Sequence, residues 1–109
     1  MRAIWYERTG PAREVLQLGD RPTPEPGQGQ ALIRVRASGV NPSDVGMRAG
    51  PAPMAYRRIT PNSDGAGVVE AVGPGVSPAW VGKRVWFYNG QRNGRAFGSA
   101  AEYIELDVD

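Results

Sequence analysis

The sequence predicts a mainly β domain: a small, partly open barrel carrying one or two short helices. Three observations lead there. Short apolar runs with strand-like alternation recur along the 109 residues. The 15 Gly and 10 Pro fall between those runs, as in a turn-rich β protein. Only one stretch reads as helix. The length leaves room for a single domain, residues 1–109.

Met1 to Tyr6 reads as a strand from the first residue, and Thr9-Gly10-Pro11 breaks it. Val15 to Leu18 alternates enough for a second short strand. Asp20 to Gln30 holds Pro22, Pro24 and Pro26, which cannot donate to a ladder, so this segment is an extended connection. Ala31 to Ser38 is the clearest strand, with Leu32, Arg34 and Arg36 on one face and Ile33, Val35 and Ala37 on the other. Pro42 to Arg48 suits one or two helical turns, with Asn41 as N-cap and Pro42 at the first helical position. Asp64 to Val72 is a second strong strand, turned by Gly73-Pro74-Gly75. Arg84 to Tyr88 follows, then a turn over Asn89 to Gly94, then a last strand over Ala100 to Leu106.

Composition excludes several chemistries. There is no Cys and no His, so disulfides, thiolate catalysis, a Cys/His zinc site and a histidine base are all ruled out. Thirteen basic and eleven acidic residues give a net charge of +2, with basic residues dispersed, so no nucleic-acid partner is expected. No apolar stretch or leader-like start suggests a membrane or export, and a cytoplasmic location is the expectation.

Asn41-Pro42-Ser43-Asp44 sets an amide, a hydroxyl and a carboxylate at a strand end and helix start. Such a place can hold a ligand oxygen, and the same residues also make a good helix cap. The Gly-x-Gly patterns within Asp64 to Val76 open a strand and precede no helix, so they are no dinucleotide fingerprint. Gly65 and Gly67 read instead as relief where backbone passes close to backbone or ligand. Trp5, Trp80 and Trp86 read as core or hinge packing. Of Glu102 and Tyr103, one should face solvent while the other packs.

Four runs, in order and at characteristic distances, carry a resemblance: Gly39 to Asp44, Asp64 to Val76, Val81 to Phe87 and Gly98 to Leu106. Together with the opening Met1 to Leu18 they resemble the N-terminal, GroES-like domain of the medium-chain dehydrogenases/reductases. Within that superfamily they resemble specifically the zinc-free quinone oxidoreductase (zeta-crystallin-like) branch. Zinc-dependent members of that superfamily hold the metal at positions matching Asn41, Ser63 and Asp64 here. An amide, a hydroxyl and one carboxylate make a poor zinc site, so no metal is expected.

The resemblance implies catalytic roles for Asn41, Asp44 and Asp64, with Asn41 and Pro42 against the cofactor and Asp64 beneath as support. It implies NADPH as cofactor and a quinone or enone as substrate, reduced by hydride transfer without metal. Many relatives carry a Tyr where this chain has Gly46, which removes a stacking or donor group. Relatives also continue for about two hundred residues more, mostly a nucleotide-binding Rossmann domain that this chain lacks. The resemblance implies that this missing domain is the chain's partner, in a full-length homo-oligomer. The isolated chain is accordingly expected neither to turn over nor to bind NADPH tightly. An alcohol-type dehydrogenase without its metal is a competing reading. So is a stand-alone β-barrel module that binds or scaffolds without catalysis.

Overall fold

The computed structural model describes residues 1–88, 90–91 and 95–108. Six strands and two short α-helices follow in the order β1 (Arg2–Trp5), α1 (Ala12–Val15), β2 (Gln17–Asp20), β3 (Gln30–Gly39), α2 (Pro42–Ala49), β4 (Asp64–Val72), β5 (Arg84–Phe87) and β6 (Tyr103–Asp107). A short 3-10 turn over Pro78–Trp80 leads into β5. Strands β1 and β2 form one antiparallel pair, and the other four form a sheet ordered β5-β4-β3-β6. Neither sheet closes on itself. Val85 and Phe87 of β5 nevertheless line one cavity with Leu106 of β6 and Val108 beyond it, so the larger sheet curls until its two edges share an interior.

The expected strands β1, β3, β4 and β5 and the helix α2 form where the alternation and the Asn41-Pro42 start placed them. Three details differ. The expected strand over Val15 to Leu18 is instead a helical turn followed by β2. The Pro11 carbonyl accepts from both Glu14 N (3.0 Å) and Val15 N (3.1 Å), and Leu16 N reaches Ala12 O at 3.0 Å. Val15 thereby points into a small core with Tyr6 and Ile59, a tertiary contact that overrides its preference for strand.

The last strand begins at Tyr103 rather than Ala100, with Ala101 making only an isolated bridge to Ala3. In β3 the strict alternation fails: Leu32 and Ile33 are both buried, because the register with β4 slips between them. Of the expected turn at Asn89 to Gly94, positions 89 and 92–94 lie outside the described residues.

The main core joins Ala31, Ile33, Val69, Phe87 and Ile104, with Trp80 packed against it. Trp86 departs from the packing role expected of it. It follows strand alternation onto the face opposite Val85 and Phe87, is 76% exposed, and stacks on Tyr88. Glu102 is exposed and accepts from Arg2 N, while half-buried Tyr103 receives Arg34 Nη2 at 2.8 Å. Gly65 and Gly67 do relieve crowding. A Cβ at Gly67 would stand 2.0 Å from the Arg34 carbonyl oxygen, and one at Gly65 would stand 2.5 Å from the Phe87 ring.

Candidate functional site

The site is built where β3 runs out and α2 begins. β3 and β4 are paired to their ends, Gly39 opposite Asp64, so the start of β4 lies beside the start of α2. Asn41, in extended conformation (φ −114°, ψ 160°), caps the helix, and Pro42 takes the first helical position. Asp44 reaches back, its Oδ2 accepting from Asn41 N at 2.8 Å. The Asn41 side chain turns the other way, Nδ2 donating to Asp64 Oδ2 at 2.6 Å. Asn41 is therefore the node that brings Asp44 and Asp64 together. Asp44 is buried at the helix start and Asp64 is half-buried on β4.

A second set of bonds holds the approach to Asp64. Asn62 sits at φ 78°, a left-handed conformation that Asn tolerates better than most residues. Its Nδ2 donates to Ser38 Oγ (2.9 Å), Ser38 and Ser99 hydroxyls meet at 2.8 Å, and Ser99 Oγ donates to the Asp64 carbonyl at 2.7 Å. Because Ser99 spends its hydrogen on Asp64, the Ser38 hydroxyl donates to Ser99. The segment 97–100 is laced to 60–62 as well, through Gly98 N to Thr60 O and Ser99 N to Asn62 O, both 2.8 Å. This network was not foreseen; a lone Asn between Pro61 and Ser63, where a sharp turn is needed, was its one visible sign.

Beside α2 lies a cavity of about 260 Å³, with Tyr6, Met47, Met54, Tyr56 and Ile59 in its wall and Gln91 and Arg95 at one end. Tyr6 is 1% exposed. Burial raises its phenol above the ordinary 10.0; nearby Arg48 opposes the shift and Asp44 adds to it. A raised value means that the neutral phenol favours the fold at every pH below the unfolded value. That contribution is lost as pH climbs through the folded one. Stability relative to Tyr6→Phe should therefore be flat below pH about 10 and fall above it, measured by denaturant melts across alkaline pH. Equal alkaline losses in the two proteins would show that Tyr6 does not titrate differently on unfolding. Gly46, in α2, has open space where a Cβ would stand, so the missing side chain leaves room at the surface.

The donor set does not suit zinc. Asn41 turns its amide N–H toward Asp64, Ser63 is a buried hydroxyl, and among the described residues no group of three His, Cys, Asp or Glu gathers. Nor can these residues cradle a pyrophosphate. Gly65 and Gly67 are packed within the sheet, and a Cβ at Gly73 would strike the Gly27 carbonyl, so these three glycines form no free loop opening a helix. Among the described residues no helix is long and apolar enough to cross a membrane.

Residues 27–109 match the alcohol dehydrogenase GroES-like domain. The chain belongs to that family. Mouse (Mus musculus) quinone oxidoreductase is 44% identical over 110 residues, covering 94% of this chain and 31% of that protein. The structure of quinone oxidoreductase from Pseudomonas syringae superimposes with a TM-score of 0.83 at 32% identity, over 97% of this chain and 31% of the other. A mycobacterial protein solved in complex with NADPH superimposes with a TM-score of 0.78 at 34% identity, over 99% of this chain and 32% of that one. This GroES-like chain thus spans about a third of the length of the curated relatives it matches. Its relatives include quinone oxidoreductases and homologues of a synaptic vesicle membrane protein.

Proposed function

We propose that this chain is the substrate-side domain of an NADPH-dependent, zinc-independent quinone or enone oxidoreductase. The observation that carries the reading is the Asn41 node. At the place where zinc-dependent members of the superfamily would present metal ligands, this chain presents an amide bonded to a carboxylate. Without a metal to polarise a carbonyl, positioning and hydrogen-bond donors must do that work. Quinones and enones suit it, because conjugation spreads the charge that develops.

In this reading Asn41, Asp44 and Asp64 are the catalytic group, with Asp64 fixing the Asn41 amide and Asp44 fixing its backbone. Asn41 and the Pro42 ring face the nicotinamide end of NADPH, which supplies hydride when bound. The dinucleotide itself belongs to a nucleotide-binding partner domain, and the full-length enzyme is a homo-oligomer. The apolar cavity beside α2 takes the planar substrate. It is slightly below the roughly 300–1,000 Å³ usual for ligand pockets, which fits a small ring system.

The test joins this chain to the nucleotide-binding domain of a related quinone oxidoreductase and follows NADPH oxidation with quinones, enones and simple alcohols as partners. We expect turnover with quinones or enones, insensitive to a zinc chelator, and none from the 109-residue chain alone. A folded, NADPH-binding chimera that reduces neither class would overturn the reading. Saturable micromolar binding of NADPH to the isolated chain would overturn the division of labour between the domains.

A further inference from the structure

We infer that Ser99 is a positioning residue: its hydroxyl, braced through Ser38 and Asn62, fixes Asp64 and through it the amide of Asn41. The inference rests on the function proposed above, in which Asn41 faces the nicotinamide, and goes beyond it by naming what aims that amide.

The chain approaching Asp64 is held carbonyl by carbonyl. Thr60 O accepts from Gly98 N (2.8 Å), Pro61 O from Ala100 N (3.2 Å), Asn62 O from Ser99 N (2.8 Å) and Ser63 O from Gly90 N (2.8 Å). At Asp64 the donor changes from backbone to side chain, Ser99 Oγ at 2.7 Å. That last bond can be deleted without touching a peptide group. Across the ladder, a Cβ at Gly39 would stand 3.3 Å from Asp64 Cβ, so the glycine leaves the Asp64 side chain its place.

The direction of donation is fixed at both ends. Asn62 Nδ2 only donates, and the Asp64 carbonyl only accepts. Between them the Asn62–Ser38 contact (2.9 Å), the Ser38–Ser99 contact (2.8 Å) and the Ser99–Asp64 contact (2.7 Å) each need a hydrogen. The Asn62 amide and the two hydroxyls supply one apiece, and no other arrangement satisfies every contact. Ser99 and Asn62 are buried, at 1% and 8% exposure, where hydrogen bonds are stronger than in water and reinforce one another.

Asp64 passes that order on. Its Oδ2 holds one N–H of the Asn41 amide at 2.6 Å, and because the amide is planar, fixing that N–H fixes the direction of the other. A group moved by about 1 Å from its productive place can cost on the order of a hundredfold in rate.

Ser99→Ala and Asn62→Gly test this, the glycine keeping the left-handed turn at φ 78° while removing the side-chain donor. In the isotope-labelled whole chain, the Asn41 side-chain protons should exchange with solvent about tenfold faster in Ser99→Ala and about threefold faster in Asn62→Gly. In the chimera with a nucleotide-binding domain, kcat for menadione should fall about tenfold in Ser99→Ala with KM unchanged. Added to Asn41→Ser, the same substitution should cost no further rate, because its route runs through Asn41.

Asn41 signals that neither variant moves overturn the positioning, whatever the chimera does. So does a loss of kcat that is undiminished in the Asn41→Ser background, which marks Ser99 as a structural residue only. A chimera inactive towards quinones and enones removes the proposed function, and the Asn41 signals then decide by themselves whether Ser99 aims the amide. Should Ser99→Ala fail to fold, Asn62→Gly carries both readouts.

Discussion

Gly98→Ala should destabilise the protein by about 3 kcal/mol, a large share of what a domain of this size has in hand. A Cβ on residue 98 would stand 2.1 Å from the Asn62 carbonyl oxygen and 2.5 Å from that of Pro61. Neither oxygen can swing aside. Asn62 O accepts from Ser99 N at 2.8 Å and Pro61 O accepts from Ala100 N at 3.2 Å, so relief means pulling the 97–100 segment off the loop and breaking those bonds. The loop leads directly into Asp64, and the Ser99 hydroxyl that braces the Asp64 carbonyl would move with the segment. Urea unfolding gives the size of the loss, and amide shifts of residues 60–64 show where it falls. A midpoint within error of the natural chain would mean that the two segments are not packed this closely.

Asn41→Asp is expected to cost about 2 kcal/mol at neutral pH, although aspartate is as good an N-cap as asparagine. The substitution keeps the cap and inverts the contact beyond it: a donor 2.6 Å from Asp64 Oδ2 becomes a second carboxylate oxygen at that distance. Two carboxyls so close retain one proton to a higher pH folded than unfolded. A raised folded value means that the stabilising contribution is present at acid pH and lost as pH rises. The variant's deficit against the natural chain should therefore shrink on acidification between about pH 7 and 4 and grow again on return. Asn41→Ser supplies the comparison, since it also caps α2 but brings no second charge. A deficit equal for both variants and independent of pH would refute the pairing of Asn41 with Asp64 as the node of the site.

How far the sequence can be read depends on the range over which each feature is decided. β3, β4 and α2 are specified locally, by alternation along Ala31 to Ser38 and Asp64 to Val72 and by the Asn41-Pro42 start, and they form as read. The turn at Ala12–Val15 is not, because Val15 is recruited into the core with Tyr6 and Ile59, far away in sequence. Trp86 departs from expectation for a related reason. Its hydrophobicity argues for the interior, but Val85 and Phe87 on either side claim the inner face of β5 and leave it outside.

At the site, Asn41 and Asp44 could be paired from spacing alone, whereas the Asn41–Asp64 bond spans 23 positions and was visible only through family likeness. Tyr6 carried no signal at all. In a run of apolar strand residues nothing distinguishes a phenol that will end beside a cavity from one that is merely packed.

The pairing of Gly39 with Asp64 as the last rung between β3 and β4 has a mechanical consequence. The chain leaves the sheet at that rung, makes the whole excursion through α2 and the cavity wall, and returns to the same place. Most of the wall of the cavity beside α2 is thus one loop whose ends meet at the Asn41–Asp64 bond, with Tyr6, Gln91 and Arg95 contributed from outside it. A ligand lying against Asn41 and Asp64 would act as a staple across that junction, trimming the conformational freedom of the entire excursion. Part of the binding energy would then appear as slower proteolysis and exchange in residues that never touch the ligand.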